Sequence, residues 1–140
     1  MKPLPKSELA LVIRTDFSDP AAWERLRAEI QAPVGRFNFR AYVNFVDDPA
    51  YEALPADRLL ALGPEGFNHN FFMVADRTTF THPERPLLVV DMYDQPGRSF
   101  RAPPDQIQGI ENNLSISNMD FFEFADNVDQ DGVFRGFGLL

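Results

Sequence analysis

The stretch Pro86–Arg101, PLLVVDMYDQPGRSFR, decides how the rest of the chain assembles. Leu87, Leu88, Val89 and Val90 form an unbroken apolar run between Pro86 and Asp91. A short run of this kind predicts a strand covered on both faces. Gln95-Pro96-Gly97-Arg98 then supplies a turn: Pro96 presets φ at the second position and Gly97 can take φ > 0 at the third, as a type II turn requires. Ser99 to Ala102 return as the partner strand of a hairpin.

Upstream, Leu9–Ile13 (LALVI) reads as a second buried strand, preceded by a Pro-containing arm over residues 1–8 that is expected to be loose. Asp19-Pro20-Ala21 is a helix start. The residue before a proline is kept out of the helical region, and proline at the first helical position gives up an N–H that has no partner there anyway. Trp23, Leu26 and Ile30 then make one apolar stripe, which Pro33 and Gly35 end. Phe37 to Val46 alternates, with Phe37, Phe39, Ala41, Val43 and Phe45 on one side, and predicts a strand with one wetter face.

Asp48-Pro49-Ala50 repeats the start signal. Pro55 interrupts that helix, which restarts at Ala56, turns Leu59, Leu60 and Leu62 inward and is closed by Gly63, Pro64 and Gly66. Phe71–Ala75 (FFMVA) is the next strand. The connection from Asp76 to Pro86 is short for a crossover helix and carries two prolines, so the strand that follows is expected to return antiparallel. After Pro103 and Pro104, Ile107, Ile110 and Leu114 keep helical spacing. A last helix, capped by Asn118, carries Phe121, Phe124, Ala125 and Val128.

The order β-α-β-α-β-β-β-α-α predicts a single α/β domain over residues 1–140. Its mixed five-stranded sheet has three parallel strands plus an antiparallel hairpin, with helices on both faces. The C-terminal helices are expected on the face that the first two leave open. With 44% apolar residues and 14 Phe, the chain of 140 has ample core material.

The segments LVIRTDFSDPAAW, FVDDPAY, VADRTTFTHPERPLLVVDMYDQPGRSFR and ENNLSISNMDFFEFADNVDQDGVFRGF together resemble an uncharacterised domain family found mainly in actinobacterial proteins. The resemblance runs from about Leu9 to Phe137 and implies a shared fold, with no activity, cofactor or catalytic residue attached.

Charge is unevenly placed. The formal net charge is −8, yet residues 1–40 hold seven Lys/Arg against five Asp/Glu, and residues 41–140 hold six against sixteen. A negative surface repels phosphates, which disfavours nucleic acid, and attracts a basic partner. The absence of Cys removes disulfides, thiolate metal sites and cysteine nucleophiles. No apolar run reaches membrane-spanning length. The N-terminal LALVI is too short for a signal segment, so a cytoplasmic setting is expected.

Asp16, Asp47 and Asp76 each follow one of the three strands expected to be parallel, at the end where open α/β sheets bind ligands. Three carboxylates converging there would suit Mg²⁺ or a similar hard cation. Asp at a loop start is equally explained as a cap, and Asp91 joins the rim only if its strand runs parallel. Asn127, Asp129, Asp131 and Gly132 imitate the start of a Ca²⁺ loop, but its twelfth position falls on Gly138. His69 and His82 match no metal-ligand spacing. In ENNLSISNMD, the Ser and Asn residues are poor mid-helix residues and suit a tight interhelical turn, or a polar recognition surface.

The preferred functional expectation is a small acidic non-enzymatic interaction domain meeting a basic protein, with immunity-type proteins that neutralise basic toxins as a physical precedent and no cofactor. The alternative is a divalent-metal-dependent hydrolase using Asp16, Asp47 and Asp76. A third is a homo-oligomer formed through an exposed sheet edge or the Phe-rich last helix.

Overall fold

The computed structural model describes residues 2–63 and 69–138. Pro64 and Gly66, read above as helix closers, lie outside the described residues. The elements run β1 (Ala10–Arg14), α1 (Pro20–Gln31), β2 (Val43–Val46), α2 (Ala56–Ala61), β3 (Phe71–Ala75), α3 (Arg77–Thr81), β4 (Leu87–Asp91), β5 (Ser99–Ala102), α4 (Ile107–Ser115) and α5 (Phe121–Ala125). The fold is α/β around one mixed five-stranded sheet of order β2-β1-β3-β4-β5. It has two parallel pairs that share β1, β1/β2 and β1/β3, and two antiparallel pairs, β3/β4 and β4/β5. The antiparallel part begins where β4 pairs with β3 and continues into β5.

Every residue of β1 and of β3 is buried, as their unbroken apolar runs require. Alternate strand residues feed two apolar clusters. Val12, Met73 and Val89 pack with Trp23, Leu26 and Ile30 of α1, Ile107, Ile110 and Leu114 of α4, and Phe121 and Phe124 of α5. Ile13, Phe72, Val74 and Val90 pack with Leu59 of α2, Tyr51 and Leu4. This corrects the expected layering: α1 shares its cluster with the C-terminal helices, and α2 lies in the other. Strand order explains it. The chain steps from β1 to β2 in one direction and from β2 back across β1 to β3 in the other, and the helices of the two connections contribute to different clusters.

Local signals act as their chemistry dictates. Asp19 accepts the Ala22 N–H at 3.1 Å to cap α1, and Asp48 caps a single 3₁₀ turn at Pro49–Tyr51. In the β4–β5 turn Arg98 N–H donates to the Gln95 carbonyl at 2.9 Å, and Gly97 sits at φ +95°, as a type II turn demands. The buried Asp91 carboxylate holds that loop from inside, accepting the N–H groups of Tyr93 at 2.9 Å and Gln95 at 2.8 Å.

Three expectations change. The alternating segment from Phe37 forms strand only over Val43–Val46. Its first part is a small antiparallel turn closed by the Val34–Phe39 bridge, with Gly35 and Asn38 at positive φ, and it leaves Phe37 and Phe39 exposed. The N-terminal arm is docked, not loose: Leu4 is buried, its N–H donates to the Leu62 carbonyl at 2.8 Å, and the Tyr51 hydroxyl donates to the Pro3 carbonyl. The last helix spans only Phe121–Ala125, and Asn118 does not cap it but donates to the Asn113 side chain at 2.8 Å.

Candidate functional site

The three candidate carboxylates stand at one end of the sheet, just past β1, β2 and β3, but each is engaged separately. Asp16 Oδ1 accepts the Ser18 N–H at 2.8 Å. Asp47 Oδ1 accepts from Arg14 Nη1 at 3.1 Å. Asp76 caps α3 by accepting the Thr79 N–H at 3.1 Å, and both of its oxygens also take the Arg101 guanidinium, at 2.9 and 2.8 Å. Burial pushes the Asp76 carboxyl up, but the Arg101 hydrogen bonds and charge, with the Thr79 bonds, outweigh it and hold the group below its ordinary value. Among the described residues no group of three His, Cys, Asp or Glu side chains is placed to hold a metal ion.

A cleft of about 560 Å³ opens at this end, where the crossovers diverge, and Asp16 and Asp76 line it with Thr15, Phe17 and Arg77. Asp47 does not. Arg14, buried beside it, reaches Asp47 and the Asp16 carbonyl and lies over the Phe17 ring at 4.3 Å. A cation is thus already built into the rim. Asp91 is absent from it, because β4 is antiparallel and ends at the opposite edge of the sheet.

The Ca²⁺-loop imitation is also accounted for. Asp129 and Asp131 both accept from Arg135 at 2.7 Å, and Arg135 further pairs with Glu84. Hydrogen bonds from Glu84, Asp131 and Asp129 raise the Arg135 pKa above its ordinary value. His69 and His82 do not flank Asp76 as a pair. His69 Nε2 contacts the Ser7 carbonyl at 2.6 Å, and His82 Nδ1 accepts the Glu84 N–H at 3.0 Å.

The opposite end of the sheet holds a cleft of about 430 Å³ between the β4 end and the α4–α5 turn. Asn70, Asp91, Tyr93 and Asp94 line one side and Ser115, Ser117, Met119, Asp120 and Phe121 the other, with His69 and Leu114. ENNLSISNMD builds its wall. Asn113 is the organiser: its carbonyl accepts the N–H groups of Asn118 at 2.9 Å and Met119 at 3.1 Å, and its side chain donates to Gly109. Ser117 takes a positive φ of 56° to make the turn, and Asn70 Nδ2 donates to the Leu114 carbonyl at 3.1 Å to fasten it to β3. The interhelical turn expected from the sequence is present, and its side chains form one polar wall of the cleft.

Among the described residues, three carboxylates and one histidine line this cleft, and no Lys or Arg does. Asp94 and Asp120 are exposed and make no ion pair among the described residues. Tyr93 is 76% exposed at the lip. Of the eight exposed large hydrophobic residues among those described, Leu9, Phe37, Phe39, Tyr42, Tyr93 and Ile116 belong to segments at this same end.

No helix among the described residues is long and apolar enough to cross a membrane. Comparison with curated proteins gives no match. A family model described as a domain of unknown function, DUF6924, matches residues 9–137, nearly the whole chain, and the chain belongs to that family.

Proposed function

We propose that the protein is a non-enzymatic interaction domain whose acidic cleft receives a cationic side chain from a basic protein surface. The observation that carries this reading is the lining of the cleft between β4 and the α4–α5 turn: among the described residues its full charges are all negative, and the Tyr93 ring stands at its mouth. Carboxylates attract an ammonium or guanidinium group, and an aromatic face adds a cation–π contact. An overall charge of −8 speeds such an encounter and disfavours nucleic acid. Immunity-type neutralisation of a basic toxin, in the cytoplasm of an actinobacterium, is one biological setting that this chemistry suits.

The test is a titration with a hexa-arginine peptide followed by amide NMR. The peptide should shift Tyr93, Asp94, Ser117 and Asp120 first, and Asp94→Asn with Asp120→Asn should weaken binding at least tenfold. Shifts spread evenly over all acidic residues would refute the reading.

A second reading rests on the switch-point cleft that Asp16 and Asp76 share: a hydrolase using a divalent cation held with Asp47. The separate engagement of the three carboxylates weighs against it. Calorimetry with Mg²⁺, Mn²⁺ and Ca²⁺ decides, since absence of heat and of any change in melting temperature at millimolar metal removes it.

A further inference from the structure

We infer that the partner of the acidic cleft is a second copy of this chain, docked about a two-fold axis through the end of the sheet where β1, β2 and β3 begin and β4 ends. This rests on the reading of the cleft as a receptor for cationic side chains and names what fills it.

The turn around Val34–Phe39 joins the end of α1 to the start of β2. Topology therefore places it at the same end as the cleft. From Gln31 to Val46 the chain carries Arg36 and Arg40 and no carboxylate. Both arginines are exposed, and neither makes an ion pair among the described residues. Phe37 and Tyr42 beside them are 71% and 68% exposed. Arg36 and Arg40 thus form, with Phe37 and Tyr42, an exposed basic and aromatic patch whose charge is complementary to that of the acidic cleft.

Register fixes how the two patches are spaced. Ala10 is level with Val43 and, through the Val12–Met73 pair, with Phe71, which faces Asp91. One residue further out, Tyr42, Leu9, Asn70 and Met92 form a row across four strands. Three strand spacings, about 14 Å, separate its basic end from its acidic end. Leu9, 41% exposed, stands inside the row. Buried Glu111 accepts the Tyr42 N–H at 2.6 Å, so the basic patch is fastened to α4, the helix whose C-terminal turn walls the cleft.

Such a surface complements itself. A two-fold axis near the middle of the row lays Arg36 and Arg40 of each copy against Asp94 and Asp120 of the other, twice, with apolar side chains between them.

Sedimentation equilibrium of the full chain from 5 to 200 µM, at 50 and 500 mM NaCl, tests this. A dimer weakened by salt is expected. Arg40→Glu and Asp94→Arg, both surface changes checked for native circular dichroism, should each weaken dimerisation at least tenfold. An equimolar mixture of the two variants should restore it as a heterodimer, because one contact is then charge-swapped, the other is the native Arg40–Asp94 pair, and both are attractive. A monomer at every concentration, a dimer indifferent to both reversals, or an open ladder of sizes would each overturn the inference. The hexa-arginine titration separates the two claims. A monomer that still binds the peptide at Asp94 and Asp120 sinks the second copy and leaves the cationic cleft standing, whereas a wild type that neither pairs nor binds the peptide sinks both.

Discussion

Arg101 on β5 and Asp76 at the end of β3 meet through two parallel hydrogen bonds, across the full width of the intervening β4. The pair ties three strands at one level. The same arginine donates to the Pro86 carbonyl at 3.2 Å, and its own backbone holds the C-terminal segment, donating to Gly132 and accepting from Phe134. Asp76 is therefore explained as architecture: helix cap, strand clamp and counter-charge in one residue.

Replacing Asp76 with Ala removes the cap and leaves Arg101 half-buried without its counter-ion. Unfolding in urea at pH 7 should show a loss of about 3 kcal/mol.

Acid should act through the same carboxyl. Its folded pKa lies below the ordinary value of 3.8, so below that value the unfolded chain takes up the proton more readily than the folded one. The Asp76 contribution is thus complete above the unfolded pKa and is lost as pH falls through the depressed folded value. Unfolding free energies measured from pH 6 to pH 2 should fall less steeply in Asp76→Asn than in the wild type.

Glu111→Ala strands the Tyr42 N–H beside α4. A loss of about 1–3 kcal/mol is expected, with faster hydrogen exchange over Tyr42–Val46. Glu111→Gln keeps an acceptor oxygen and should lose less.

Gly97 can be probed without a steric clash, because a Cβ there meets Leu60 at an ordinary 3.8 Å. The cost of Gly97→Ala is then the backbone's alone, φ +95° being hostile to an L side chain. Thermal melting should show a destabilisation of about 1–2 kcal/mol.

Phe124 packs against Phe100, Phe134 and Phe137, with ring centroids at 6.3, 5.2 and 5.5 Å. Phe124→Ala should destabilise by about 3–5 kcal/mol, and residues 132–137 should lose exchange protection before the sheet does.

Where the sequence carried an unambiguous backbone signal, the fold was readable. Asp19-Pro20, the apolar runs at β1, β3 and β4, and Pro96-Gly97 each admit one local structure. The antiparallel return of β4 followed from a connection too short for a long crossover, although that connection does hold the one-turn helix α3. The segment from Phe37 misled because alternation reports two environments without saying which is core, and here Phe37 and Phe39, on the apolar side of the alternation, face outward. The layering misled because it depends on strand order, which no local pattern encodes. Asp16, Asp47 and Asp76 were correctly placed at strand ends, but Arg14 and Arg101, the partners of Asp47 and Asp76, lie 33 and 25 residues away in sequence and meet them only through strand pairing. The cleft at the other end was foreshadowed only by the Ser and Asn content of ENNLSISNMD, whereas Tyr93 and Asp94 looked like ordinary turn residues.

The C-terminal segment has a consequence for handling the protein. By pairing alongside Arg101, Val133 shuts the outer margin of β5 against strand addition, and Phe134 plugs the aromatic cluster behind it. A proteolytic nick that removed these few residues would bare the N–H and carbonyl of Arg101 above a greasy hollow. A trimmed preparation is then the one to expect in fibres or precipitate.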